Sequence, residues 1–337
     1  MYDYIEKIRE GQNLSHSEIT VVMELIMSGH ASLDHIQDFL LALNDKGPTI
    51  EEITACALMM RKFVLPIKTK HQVILDTCGT GGDYKGTFNI STTAAFVVAS
   101  CGVAVAKHGN RSISSQCGSA DVLEALGINV HLEETLVGDC LDKVGIAFLF
   151  AQRLHPAMKN VAPARKALGV KTIFNILGPL TNPAGATHQM VGVYSRELVE
   201  PMARVLINLG LKRALVVHGN DGLDEVTTTG KTFISESHKG DIASYDLDPQ
   251  ELGIPQATLK DFDGGNKQVN AEISKTILQS QKGPKRDIVL LNAAYGLYIA
   301  GAVENIDQGL RMAEHAIDSG RAYKKLEELK EFSNRGR

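Results

Sequence analysis

The chain has 337 residues, 44% of them hydrophobic and 22% charged, which is ample material for a sizeable core. Its net charge of −4 argues against a surface built for nucleic acid, so any bound anion must be held by a local cluster. The five cysteines (Cys56, Cys78, Cys101, Cys117 and Cys140) are odd in number and never form a C-x-x-C pair, which favours reduced thiols over zinc or a disulfide framework.

The N-terminal stretch MYDYIEKIREG is charged and lacks an apolar signal core, and no run reaches membrane length. The expectation is a cytoplasmic protein with no membrane contact. The first sixty-odd residues read as helices alone. Ser15-x-x-Glu18 and Thr49-x-x-Glu52 have capping-box spacing ahead of ITVVMELIM and ITACALMM. Between them, LDHIQDFLLALNDKG has helical periodicity and a terminal glycine. From His71 the texture changes. Short apolar runs at 73–75, 103–106, 146–150, 214–217 and 288–291 alternate with helical segments such as SADVLEALG and ELVEPMARVLINLG. That alternation predicts an α/β domain with a mostly parallel central sheet and crossover helices. Residues 156–167 read as a further helix, the segment 230–285 as strands and loops, and the C-terminal stretch as helices. The expected architecture is a small N-terminal helical domain, residues 1–68, joined by a helix near 156–180, plus a larger α/β catalytic domain, residues 69–337.

Three stretches carry chemistry. The first, DTCGTGGDYKGTFNIST (76–92), joins an apolar run to a helix-like run and concentrates Gly79, Gly81, Gly82 and Gly86. Such a cluster suits a loop whose backbone a ligand approaches closely. It is not a P-loop, because Thr87 stands where the lysine should follow Gly86, and its glycines miss the dinucleotide spacing. The physical logic survives: free amides lead into a helix start that Asn89, Ser91 and Thr92 can cap, and a helix N-terminus is itself an anion site. The second stretch follows the next apolar run and gathers Lys107, His108, Gly109, Asn110 and Arg111 with Ser112, Ser114, Ser115 and Ser119. Cations and hydroxyls at a strand end are placed where parallel sheets bind ligands. The third, LVVHGNDGLDEVTTTG, sets Asp221, Asp224 and Glu225 just after a strand, as plausible oxygen ligands for Mg²⁺ shared with phosphates.

Taken together, GTGGD (79–83), NIST (89–92), KHGNR (107–111), GSADVLEALG (118–127), HPAMKNVAPAR (155–165), TIFNILGPLTNPA (172–184) and HGNDGLDE (218–225) closely resemble the anthranilate phosphoribosyltransferases. The resemblance implies a type IV phosphoribosyltransferase fold and a homodimer joined through the helical domain. It implies transfer of a phosphoribosyl group from phosphoribosyl pyrophosphate to anthranilate, with no nucleic-acid partner. At matching positions, Gly79, Gly82, Asp83 and Thr87 belong to the loop around phosphoribosyl pyrophosphate. Asn89, Ile90, Ser91 and Thr92 serve its phosphate or sugar at the helix start. Lys107, His108, Gly109, Asn110, Arg111, Ser112, Ile113, Ser114 and Ser115, with Ser119, complete that pocket. Lys107 acts electrostatically, and no general base is assigned. Gly79, His108, Asn110 and Arg165 match anthranilate contacts; Ser91, Asp224 and Glu225 match ligands of Mg²⁺, expected as two ions. The rival readings are a pyrimidine nucleoside phosphorylase on the same scaffold, opposed by GLDE and KHGNR, and a nucleic-acid binder, opposed by the acidic balance.

Overall fold

The computed structural model describes residues 1–112 and 116–335. Four helices open the chain: α1 (Tyr2–Arg9), α2 (His16–Met27), α3 (Leu33–Lys46) and α4 (Ile50–Lys62). Both capping boxes form. Glu18 N donates to Ser15 Oγ at 3.3 Å and Ser15 N to Glu18 Oε2 at 2.7 Å, while Glu52 N donates to Thr49 Oγ1 at 3.2 Å and Thr49 N to Glu52 Oε2 at 2.8 Å. Each box satisfies two amides that a helix start otherwise leaves without partners. Glu52 is fully buried, and its charge is compensated by Lys46 at 2.8 Å and by the amide of Leu14 at 2.9 Å.

Seven strands then form one sheet in the order β3-β2-β1-β4-β5-β6-β7. They are β1 (Ile74–Gly79), β2 (Ala104–Gly109), β3 (Ile146–Phe150), β4 (His188–Gly192), β5 (Arg213–Gly219), β6 (Thr232–His238) and β7 (Asp241–Leu247). The first five are mutually parallel, and β6 and β7 add an antiparallel edge. Strand direction alternates side chains between the two faces. On β5, Leu215 and Val217 join one core with α5 (Ile90–Ser100), while Ala214 and Val216 join the other, which contains α1 to α4. The second core also takes in Ala164 of α9 (Ala162–Leu168), Phe174 of α10 (Phe174–Leu177) and Met202 of α11 (Val199–Asn208). Between β2 and α9 lie α6 (Ser119–Ala125), α7 (Glu134–Val144) and the single turn α8 (Ala151–Leu154). The chain closes with α12 (Lys267–Leu278), α13 (Pro284–Ile299), α14 (Ile306–Asp318) and α15 (Arg321–Ser333), which pack with α5 on the first face.

Four expectations need correction. Residues 288–291, read as a strand, lie inside α13, where Ile288, Val289, Leu290 and Leu291 are all buried. A helix surrounded by protein on all sides is apolar on all sides, and a short apolar run then loses its period. The stretch 156–167 is two pieces: a 3₁₀ turn over Pro156–Asn160, followed by α9. The segment 230–285, read as strands and loops, also contains α12. Strand β4 is not among the expected strands, since His188 and Gln189 occupy its first two positions and shorten its apolar run.

Candidate active site

Strands β1, β2, β4 and β5 each stop on a glycine: Gly79, Gly109, Gly192 and Gly219. A Cβ on Gly79 would overlap the Asp224 carboxylate, and one on Gly192 the Asp224 carbonyl. Likewise, Gly219 is pressed by the Asp221 carboxylate and Gly109 by Ser119 Oγ. The strand ends therefore meet the loops backbone to side chain. They flank the point between β1 and β4 where strand order reverses, the place where open parallel sheets leave a crevice.

The loop from β1 to α5 is bent by four residues with left-handed backbone: Gly81 (φ 63°), Gly82 (φ 77°), Tyr84 (φ 56°) and Gly86 (φ 69°). Glycine adopts this freely, whereas Tyr84 does so at a cost of about 1 kcal/mol. Outside bonds hold the loop in place. Thr80 N donates to Gly192 O at 2.9 Å, Gly81 N to Asp224 Oδ2 at 3.0 Å, and Phe88 N to Phe262 O at 3.0 Å. Asp83 is half-buried beside Asp224, and Thr87 bridges to Asp263. At the start of α5 the structure departs from expectation. Asn89 makes no side-chain cap; its Nδ2 donates to Cys117 O at 3.3 Å and its Oδ1 accepts from Asn270 at 3.1 Å. Ser91 N instead donates to Glu225 Oε1 at 3.1 Å. Ile90 and Thr92 are buried, and Ile90 N donates to Phe88 O at 2.8 Å.

Lys107 rises from β2 between these loops. Its Nζ donates to Thr77 O at 2.5 Å and to Ser91 Oγ at 3.2 Å, and the residue is only 4% exposed. Burial lowers its pKa; Asp76, Cys78, Glu225 and Asp224 push the other way and favour the charged form. Asp76, wholly buried on β1, anchors this arrangement. It accepts from His108 N at 3.0 Å, Asn182 Nδ2 at 2.8 Å and Gln189 Nε2 at 3.2 Å. Next along β2, His108 Nε2 lies 3.0 Å from His155 Nε2, both residues being buried. Burial first, then His155, holds His108 well below the ordinary histidine value; burial brings His155 down to about 4. Both rings are neutral near pH 7, which makes neither a cationic phosphate ligand.

The second loop is braced from within. Asn110 O accepts from Ser119 Oγ and Ala120 N, each at 3.2 Å, and Gly118 packs so closely under Ser112 N that no side chain fits there. Arg111 is committed elsewhere than expected. Its guanidinium bonds Asp121 at 2.8 Å and Glu124 at 2.8 and 2.7 Å, and it stands 5.6 Å from the Phe150 ring centre. Those two carboxylates raise its pKa further, Glu124 first. Ile113, Ser114 and Ser115 lie outside the described residues. Arg165 projects from α9, half-buried, 5.9 Å from the Phe174 ring, and burial lowers its pKa. Among the described residues, no hydrogen bond or ion pair ties it to the Lys107 cluster.

The third loop supplies acid. Asp221 is occupied in building the turn, accepting from Thr227 Oγ1 at 2.6 Å, Thr229 Oγ1 at 2.5 Å and Leu223 N at 3.0 Å. Asp224 and Glu225 face the glycine loop and the start of α5. Burial, then Asp83, raises Asp224 to about 7; burial, then Asp224, raises Glu225 to about 8. Two adjoining carboxylates short of positive charge, with Ser91 Oγ beside them, form a hard-oxygen donor set that fits a divalent cation. Among the described residues, no three His, Cys, Asp or Glu side chains converge on one point, so such an ion would draw much of its shell from substrate oxygens and water.

Asp76, His155, Asn182 and Lys171 belong to this assembly and do not stand out in the sequence. His155 and Asn182 sit inside motifs already noted, while Asp76 shows only as the acid that opens the glycine-rich stretch after the apolar run 73–75. Lys171 donates to Gly82 O at 3.0 Å.

The helical bundle domain of the glycosyl transferase family matches residues 2–64, and that family's a/b domain matches residues 71–323. An anthranilate phosphoribosyltransferase of Petrotoga mobilis is 50% identical over 331 residues, covering 98% of this chain and 96% of that protein. The crystal structure of anthranilate phosphoribosyltransferase from Thermus thermophilus superposes with a TM-score of 0.93 at 43% identity, covering 98% of both chains. The Saccharomyces cerevisiae enzyme in complex with PRPP and Mg superposes with a TM-score of 0.90 at 28% identity, covering 98% of this chain and 97% of that one.

Proposed function

The chain belongs to the anthranilate phosphoribosyltransferase family, and from that premise we infer that it transfers the phosphoribosyl group of 5-phosphoribosyl 1-pyrophosphate to the amine of anthranilate. The products are N-(5′-phosphoribosyl)anthranilate and pyrophosphate, the second step from chorismate to tryptophan. The observation that carries the reading is the meeting of three loops at the sheet's switch point, where Lys107 bonds Ser91, Ser91 bonds Glu225, and the charges of Asp224 and Glu225 are felt by Lys107.

Displacement at an anomeric carbon passes through an oxocarbenium-like state while negative charge collects on the departing pyrophosphate. Lys107 and the amides of the glycine loop offer positive charge and donors for that growing anion in a site shielded from water. Asp224, Glu225 and Ser91 would hold magnesium, two ions in this reading, and a bound divalent cation supplies charge neutralisation to phosphate oxygens. The amine of anthranilate is neutral near pH 7, so the protein has no strong base to provide. Its remaining task is placement. Arg165 supplies a planar fork suited to the anthranilate carboxylate, and Asn110, His108 and Gly79 are the other anthranilate contacts in this reading.

The domain reading places a helical unit at 1–68 with 156–180 joined to it, and a catalytic unit over 69–337. The shared core of α1 to α4 with Ala157, Val161, Ala164 and Phe174 supports it. The reading includes a cytoplasmic location and a homodimer through the helical unit, and the exposed apolar side chains Tyr2, Val21, Leu33 and Leu41 on α1 to α3 support the dimer. Sedimentation at micromolar concentration tests it: a monomer there removes the dimer. The reaction itself is tested by following anthranilate fluorescence. Loss of signal requires both phosphoribosyl pyrophosphate and Mg²⁺; release of base from thymidine or uridine with phosphate, in place of that loss, overturns the reading.

A further inference from the structure

The segment between α9 and α10 carries one basic side chain that turns away from the helical core and reaches the glycine loop. Lys171 Nζ donates to Gly82 O at 3.0 Å. The same ammonium lies 3.5 Å from the ring centre of Tyr194, just past β4, and 5.4 Å from that of Tyr84 in the glycine loop. Tyr194 N in turn donates to Thr80 Oγ1 at 3.2 Å. A Cβ on Gly82 would stand 3.3 Å from Lys171 Cε, so the lysine lies close along the loop, whose backbone is left-handed here (φ 77°). Burial works against the charge here, while Asp83 and Asp224 favour it. An ammonium ion between two aromatic faces and two carboxylates, bonded to a carbonyl, has few other places to go.

We propose that Lys171 is a positioning residue for phosphoribosyl transfer: a latch that fixes the glycine loop to the α9–α10 segment and so sets the loop's amides for the phosphoribosyl pyrophosphate end of the site. The proposal rests on the transferase reading for its kinetic consequence, but the latch can be read without turnover. Lys171 acts through Gly82 and through the aromatic pair.

Two measurements test it. In the substrate-free protein, hydrogen exchange at the amides of Thr80 and Gly81 speeds up at least tenfold in Lys171→Met and in Tyr194→Leu, and stays near wild type in Lys171→Arg and Tyr194→Phe. In steady-state assays, Lys171→Met raises the KM for phosphoribosyl pyrophosphate at least tenfold and that for anthranilate less than threefold, with the arginine variant recovering most of the loss. Unchanged exchange in Lys171→Met overturns the latch, whether or not the wild type turns over. So does an equal rise in both KM values. A wild type inert toward both substrates overturns the transferase reading instead, and exchange alone then decides the latch.

Discussion

At the scale of single residues, charge balance under burial governs this site. Asp76 is an acid in the middle of a buried strand, kept there by three donors and by the nearby Lys107. Asp76→Ala would leave Lys107 without that compensation and strand the amides of Asn182 and Gln189. The expected loss is roughly 3–5 kcal/mol, read from the denaturant midpoint, because removing one partner from a buried charged pair exposes the full desolvation cost of the other. Asp76→Asn should lose less stability, yet lower turnover, since Lys107 then keeps its proton less firmly. A second expectation concerns pH. Asp224 titrates at about 7 in the fold against roughly 3.9 in an unfolded chain. The folded state therefore binds the proton more tightly, and this group's contribution to metal-free stability falls as pH rises from about 4 to about 7. Asp224→Asn removes that slope, so its Tm advantage over wild type should widen between pH 5 and 8. A constant difference would contradict the assignment. Lys107, Asp224 and Glu225 are legible because charges beside glycine loops stand out. Asp76 is not, because its meaning comes from register: it sits beside Gln189 across β1 and β4, a pairing no local pattern contains.

At the scale of elements, the legible parts are those with local punctuation. The capping boxes at Ser15 and Thr49 fix two helix starts, and Ser15→Ala should cost ~1 kcal/mol by thermal melting while leaving turnover untouched, since α2 lies away from the loops. Parallel strands with apolar runs are legible too. Strand β4 is hidden because Gln189 turns inward to bond Asp76 and Pro179 O, a polar duty written into a central strand. The 288–291 run reads as a strand because burial on every side erases helical period, although Pro284 and Asp287 at the front of α13 are ordinary start signals. The glycine that ends β1 yields a sharper expectation. Gly79→Ala forces the Asp224 carboxylate aside, so kcat/KM should drop about a hundredfold with a Tm change of only a few degrees, a shift of ~1 Å in a reacting group sufficing for that loss. Activity within threefold of wild type would show that Asp224 need not stand where it does.

At the scale of the whole molecule, two cores share one sheet, and the site lies along the line where they part. Lys107, Asp224 and Glu225 come from the sheet's rim, while Arg165 comes from α9, which is packed into the helical core. Arg165→Ala should accordingly raise the KM for anthranilate far more than that for phosphoribosyl pyrophosphate; equal effects in initial-rate assays would remove Arg165 from the carboxylate. This division is legible in outline, since helices alone precede the alternating pattern. The return of 156–180 to the core of the N-terminal helices is a long-range packing event, and only its motif hints at it. The same seam holds the two histidines, one from β2 and one from the turn after β3. Facing nitrogens at 3.0 Å can share only one hydrogen, so His108 and His155 must adopt opposite tautomers, and a second hydrogen has nowhere to sit. Acidification below the usual imidazole range thus drives protons onto unfolded chains that the folded seam refuses, and the fold grows less secure as the medium sours.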